Sequence, residues 1–245
     1  MSDTNKPLAP LVRKLLLHAR LGEEDQKAIL ELPHVLKEVE GGRYIVREGD
    51  KPTHSCLLVS GFVIRHKLVE GGGRQIVNIH VAGDMCDLQN TLLATADHNV
   101  QTLTPSRVAF IPREALVDLS FTRPAVGKAL WLETLVEASI TREWVANVGR
   151  RDARARVAHL LCEFAYRLNA VGIGEECNFQ LPMTQEQLAD TTGLTPVHVN
   201  RTLKALDAEG LTTRALRSIK INNWKRMAQV ADFRSTYLHL PEAAL

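Results

Sequence analysis

The stretch that most restricts how this chain can fold lies toward its C-terminal end, at residues 184–206, TQEQLADTTGLTPVHVNRTLKAL. Thr184 followed three residues later by Gln187 is a capping box, so a helix starts directly after Pro182-Met183. Leu188 supplies an apolar contact and Ala189 a small residue for close helix approach. Gly193 then stops the helix and permits a sharp turn, because glycine accepts positive φ without steric cost. Thr195 before Pro196 is an N-cap followed by proline at the first helical position, which starts a second helix at once. Val199, Leu203 and Leu206 give that helix a buried stripe. Two helices capped at both starts and joined by a glycine turn make a helix-turn-helix, with a helical hairpin of no nucleic-acid role as the bland alternative.

Geometry assigns roles to the second helix. In a helix-turn-helix its first turns face the major groove, and here they carry Val197, His198, Asn200, Arg201 and Lys204. Arg201 suits bidentate reading of a guanine edge, Asn200 an adenine, and Val197 a thymine methyl. Lys204 suits a phosphate contact that positions the helix without specifying sequence. His198 is either a further contact or an exposed, tolerated side chain. The two caps, Thr184 and Thr195, complete the expected set on the motif itself. After Gly210 the alternating stretches LTTR and RSIKI pair as a wing whose tip places Arg214 and Arg217 near the expected nucleic-acid backbone. Charge agrees with this placement. From Leu194 to Arg226 seven basic residues face two acidic ones, a net +5, so the rest of a chain of net +2 carries −3.

Upstream, residues 35–111 read as short strands punctuated by glycine: VLKEV, RYIV, CLLVSGFVIRHKLV, RQIVNIHV, VQTL and RVAFI. Gly49, Gly61, Gly73 and Gly83 set the cadence of an antiparallel barrel or sandwich, and Gly71-Gly72-Gly73 marks a hairpin tip. An amphipathic helix from Glu23 to Leu32 precedes them, with Pro33 helping to end it. Pro124 opens a helix of about 25 residues, with no second proline to break it. Its apolar positions Leu132, Val136, Ile140, Trp144 and Val148, flanked by Ala125, Ala129 and Leu135, suggest two apolar faces. One serves the β domain and the other a dimer seam of unfixed register, or the whole is a long core helix. Asp152 caps the next helix, which runs to the Gly172–Gly174 loop. The arginines at 150, 151, 154 and 156 are either a solvated helix start or a joint between sensor and reader.

The expected architecture is therefore α+β: a helix and antiparallel β-roll over residues 1–121, a dimerisation helix over 122–149, and a winged helix-turn-helix over 150–245. At 245 residues and 45% hydrophobic composition the chain suits one or two globular domains. Without an 18-residue apolar run or a signal-peptide pattern, no membrane association and a cytoplasmic location are expected. Cys56, Cys86, Cys162 and Cys177 lack CxxC spacing, which argues against a disulfide scaffold or a thiolate metal cluster. No nucleophile elbow, P-loop or HExxH motif is present, so an enzyme is not expected.

The order of these parts resembles the CRP/FNR family of bacterial transcription regulators, above all in residues 57–84 and 182–212. The resemblance implies a homodimeric regulator, of the activator type, that binds a pseudo-palindromic double-stranded promoter site and contacts RNA polymerase. Cyclic-nucleotide-binding relatives carry Gly-Glu and a phosphate-gripping Arg-Ser/Thr. This chain has Gly83-Asp84, and Thr95-Ala96-Asp97-His98-Asn99 near the expected arginine, so cyclic-nucleotide binding is not expected. Residues 1–55 hold no cysteine, against an iron–sulfur sensor of the family's kind. No cofactor is expected; haem ligation by His80 and Cys86 is the less favoured alternative, and the effector, if any, is an unknown small molecule. Many relatives have glutamate where Val197 stands, so the family's usual half-site is in doubt. The reading from another class is an effector-binding module acting on a protein partner.

Overall fold

The computed structural model describes residues 6–173, 177–216 and 218–240. They group into two compact units: one of residues up to 67 with 77–138, the other of residues 68–76 with those from 139 onward.

The first unit opens with a helix that the sequence reading passed over, α1 (Ala9–Leu16), which buries Ala9, Leu11, Val12 and Leu15 along one face. α2 (Glu23–Leu30) has Glu23, Glu24 and Asp25 in its first turn, where the helix dipole favours anions. It stops two residues short of the expected Leu32: the amides of Glu31 and Leu32 already fold back onto Lys27 O and Ile29 O. The strands follow as β1 (Val35–Val39), β2 (Tyr44–Val46), β3 (His54–Ser60), β4 (Val63–Leu68), β5 (Arg74–His80), β6 (Asn99–Thr102) and β7 (Ser106–Pro112). They form two sheets, ordered β1-β7-β3 and β2-β6-β4-β5. Antiparallel register pairs Leu36 with Ala109 and Leu57 with Ala109, so β7 lies between β1 and β3.

Alternation along β3 divides the core. Leu57 joins a cluster with Leu8, Leu11, Ile29, Ile111, Leu116, Val126 and Leu130, while Cys56 and Leu58 join Val46, Val63, Cys86, Val100 and Val108 on the other face. Gly61, between β3 and β4, cannot be replaced cheaply. Its φ is +94°, and a Cβ there would lie 2.3 Å from Ser106 Oγ and 2.8 Å from Pro105 O. α3 (Arg113–Thr122) leads into the long helix α4 (Pro124–Arg150). Gly127 inside α4 lets the two approach closely, for a Cβ would lie 2.4 Å from Ser120 O.

The second unit contains the end of α4, then α5 (Ala153–Ala170), β8 (Asn178–Gln180), α6 (Gln185–Thr192), α7 (Pro196–Ala208), β9 (Thr212–Ala215), β10 (Ser218–Ile221) and α8 (Trp224–Ala231), closing with a short 3-10 turn at Ser235–Leu238. Asp152 caps α5 as expected, its Oδ1 accepting from the amide of Ala155 at 2.8 Å. α5 is buried from Val157 to Leu168 and is the axis of the unit. Its Glu163 carboxylate, 1% exposed, accepts from Trp144 Nε1 and Tyr237 Oη at 2.8 Å each and pairs with Arg167 at 3.3 Å. A buried carboxylate is tolerated only with such partners. Those bonds tie α4, α5 and the C-terminal turn together.

Candidate nucleic-acid interface

Both helix starts in residues 184–206 are built as their sequence dictates. The amide of Gln187 donates to Thr184 Oγ1 at 3.2 Å, and the amide of Thr184 donates to Gln187 Oε1 at 2.8 Å. Gly193 takes a left-handed conformation (φ +64°, ψ +35°) and ends α6. The amide of His198 donates to Thr195 Oγ1 at 3.2 Å, with Pro196 in the first turn of α7. Val199, Leu203 and Leu206 are buried, which fixes the rotation of α7 and turns its other face outward. On that outer face Val197 is 80% exposed, Arg201 and Lys204 are exposed, and His198 and Asn200 are half-buried.

One of the expected wing cations is held by an ion pair within the unit. Arg214 Nε donates to Asp207 Oδ2 at 2.6 Å, and Asp207 Oδ1 also accepts from Thr212 Oγ1 at 2.5 Å. The arginine therefore braces the wing strand β9 against α7. Arg217 lies outside the described residues. The wing is broader than expected, with β8 added to give the order β8-β10-β9. Thr184 is exposed but its hydroxyl serves the cap, as does that of Thr195.

The solvated reading of the arginine cluster at the start of α5 holds for Arg150, which is exposed, and is corrected for Arg151, Arg154 and Arg156 by their bonds. Arg151 donates to Glu143 Oε1 at 2.7 Å and to Asp232 Oδ2 at 3.1 Å. Arg154 pairs with Glu209. Arg156 donates to Thr192 O and to Arg151 O at 2.9 Å each, satisfying carbonyls at the end of α6 and just beyond the end of α4. These arginines fix the orientation of the motif on its scaffold. Gln185 was also missed: its Oε1 accepts from Asn200 Nδ2 at 3.0 Å.

In the first unit, the polar interior of the β-roll centres on Arg65. Its guanidinium pairs with Glu137 of α4 and donates to Cys86 O, with Gln89 Oε1 at 3.4 Å. Asn78 Nδ2 donates to the same Glu137 Oε1 at 3.2 Å. Asp97 is bonded to His98 at 2.6 Å, which holds its carboxyl below the usual range, while Lys67 reaches the Asp97 carbonyl. Burial, with help from Arg65, pushes the His98 pKa down. Asp84 accepts from the amide of Val81 at 3.0 Å and pairs with Lys14 of α1 at 3.0 Å, a cation far away in sequence. Cys86 and His80 are both buried, and burial pushes the Cys86 and Cys56 thiols well up. Among the described residues no group of three or more His, Cys, Asp or Glu is arranged to hold a metal ion, and no helix is long and apolar enough to cross a membrane.

Known proteins share both halves of this arrangement. The Crp-like helix-turn-helix domain matches residues 155–230, and the cyclic nucleotide-binding domain matches residues 36–123. The transcriptional activator protein FnrL of Cereibacter sphaeroides is 27% identical over 213 residues, 85% of each chain. The fumarate and nitrate reduction regulatory protein of Escherichia coli K12 is 23% identical over 220 residues, 90% of this chain and 88% of that one. Among solved structures, FixK2 from Bradyrhizobium japonicum matches 81% of this chain and 98% of its own with a TM-score of 0.75 at 25% identity. FnrL is a transcriptional activator, and the Escherichia coli relative is a regulatory protein. An N-terminal roll, a long helix and a winged helix-turn-helix occur here in one order and are matched on both sides, and the chain belongs to the CRP/FNR family of DNA-binding transcriptional regulators.

Proposed function

We propose that the protein reads a pseudo-palindromic promoter site as a homodimer, placing the first turns of α7 in the major groove and recruiting RNA polymerase from the bound state. The observation that carries this reading is the outer face of α7, where Val197, Arg201 and Lys204 are turned to solvent by the burial of Val199, Leu203 and Leu206. Arg201 reads guanine, Val197 meets a thymine methyl, and Lys204 contacts phosphate. With valine in place of a carboxylate, this surface has no acceptor at that position for a cytosine amino group.

Support for the dimer comes from α4. Trp131, Leu135, Ala138, Arg142, Val145 and Gly149 are exposed and spaced four, three, four, three and four residues apart, the spacing of a coiled-coil seam. Trp131, Leu135 and Val145 are 67%, 51% and 69% exposed, a large apolar stripe for one chain to leave in water. The face proposed for the seam is thus offset from the buried Val136, Ile140 and Trp144. The protein works in the cytoplasm and catalyses no reaction. In the β-roll, Arg65 is already neutralised by Glu137, which supports an effector other than a cyclic nucleotide, or control by abundance alone.

The test is binding-site enrichment from random duplexes. The wild type should select half-sites about one helical turn, roughly 10 bp, apart. Arg201→Ala should lose discrimination at one symmetric pair of positions by about 1–3 kcal/mol. A variant that still selects the same guanine overturns the assignment.

A further inference from the structure

We propose that Gln185 is a specificity-positioning residue: it holds the Asn200 carboxamide in one orientation so that Asn200 can read a base edge from a fixed pose. The inference rests on the proposed reading of DNA by α7. Its observation is the bond from Asn200 Nδ2 to Gln185 Oε1 at 3.0 Å, which joins the first residue of α6 to the middle of α7 across the motif.

A primary amide has two N–H donors and one carbonyl acceptor. Asn200 gives one N–H to Gln185 and keeps the other N–H and its Oδ1. Those remaining groups are the donor and acceptor that a bidentate contact to adenine N7 and N6 requires. An unrestrained asparagine can turn its amide over and offer the reverse pattern. The Gln185 carbonyl opposes that turn, because in this arrangement only the nitrogen end of Asn200 can donate to it, and the reverse pattern is reached only if both amides turn over together. The ordering of the reader is then completed before DNA arrives, and the bound state loses less side-chain entropy.

The position of Gln185 is itself secured. It follows the Thr184 cap, whose reciprocal bonds with Gln187 set the first turn of α6, and Gly193 with Thr195 sets where α7 begins. Gln185 keeps both of its own Nε2 hydrogens, which suit a phosphate oxygen. Glu186 beside it is exposed and cannot take that role, since a carboxylate is repelled by phosphate.

The experiment is base-resolved site enrichment, followed by affinity measurements on the selected site and on variants changed at one base pair. Asn200→Ala should lose preference at its own position by about fivefold or more while the Arg201 guanine is retained. Gln185→Ala should flatten preference at that same position by roughly two- to tenfold, the worth of one hydrogen bond, and leave the guanine position unchanged. The double variant should discriminate there no worse than Asn200→Ala alone. Gln185→Glu keeps an acceptor for Asn200, so it should retain the preference while weakening binding to every sequence through its added negative charge. If Gln185→Ala lowers affinity equally for all sequences, Gln185 is a phosphate contact and the proposal is overturned. It is also overturned if Asn200→Ala changes preference at no position. A wild type that enriches no sequence refutes the reading of DNA by α7, a different failure from either of these.

Discussion

Two glycines of the second unit, Gly193 and Gly210, offer a controlled test of how the motif holds its angle. Both are left-handed, with φ of +64° and +69°. Replacing either with alanine forces an L side chain into a conformation that costs about 1–2 kcal/mol. Their surroundings differ. A Cβ at Gly210 meets nothing within 4 Å, whereas one at Gly193 lies 3.1 Å from Val148 Cγ1 and 3.7 Å from Arg156 Nη1. The valine must move by a few tenths of an ångström, and Arg156 is the residue that caps α6 through Thr192 O. Overpacking of that kind adds about 1–3 kcal/mol. Gly193→Ala should therefore cost roughly 2–5 kcal/mol against about 1–2 for Gly210→Ala. At about 4–8 °C per kcal/mol for a unit of this size, circular-dichroism melts should separate the two variants clearly. Fluorescence anisotropy on the selected duplex should show affinity falling further for Gly193→Ala at a temperature where both variants remain folded. Equal melting points would mean that the turn gives way freely, and the reasoning that fixes α7 through this glycine would fail.

Lys204→Ala should weaken binding to all sequences and reduce the slope of log affinity against log salt by about one, read by titration between 50 and 200 mM salt. Leu135→Glu with Val145→Glu should convert the dimer to a monomer by native mass while leaving the far-ultraviolet spectrum unchanged, because both side chains are solvent-exposed within one chain. Tyr237→Phe should cost about 1–3 kcal/mol in a denaturant titration, since it strips a donor from the buried Glu163. Burial lowers the pKa of His159, so the unfolded chain takes up its proton first as pH falls. Its contribution is complete above about pH 6.5 and is lost as pH drops toward the depressed folded value, so His159→Gln should flatten the stability profile in that window.

Local rules read well where the chain supplies its own partners. The caps of α5, α6 and α7 are formed by side chains three residues from the amides they satisfy, and all three were visible from spacing. The strands of the roll were visible too, because glycine separates their short runs of apolar and β-branched residues. Partners far apart in sequence were not visible. Arg214 carries the same formal charge as Arg201, and nothing nearby in the text says that Asp207 engages one while the other faces solvent. Asp84 reads as an isolated acid until α1 brings Lys14 to it, and α1 itself is short.

The long helix shows why a period alone did not fix the seam. Leu132, Val136, Ile140, Trp144 and Val148 recur every four residues, and a strict four-residue repeat drifts around an α-helix of 3.6 residues per turn. Over sixteen residues that drift is large, about 160° in total, so such a set cannot lie on one straight face. The inward face is decided by particular partners: Val126, Ala129 and Leu130 by the apolar cluster of the first unit, and Trp144 by the Glu163 carboxylate. With those positions assigned inward, the alternating three- and four-residue series from Trp131 to Gly149 is what remains outward. A rotation of the helix that brought Trp131 inward would carry Trp144 away from Glu163 and leave a buried carboxylate short of a donor. The same buried bond that closes the second unit therefore also helps to set which face of α4 stays exposed, the face proposed above for the seam.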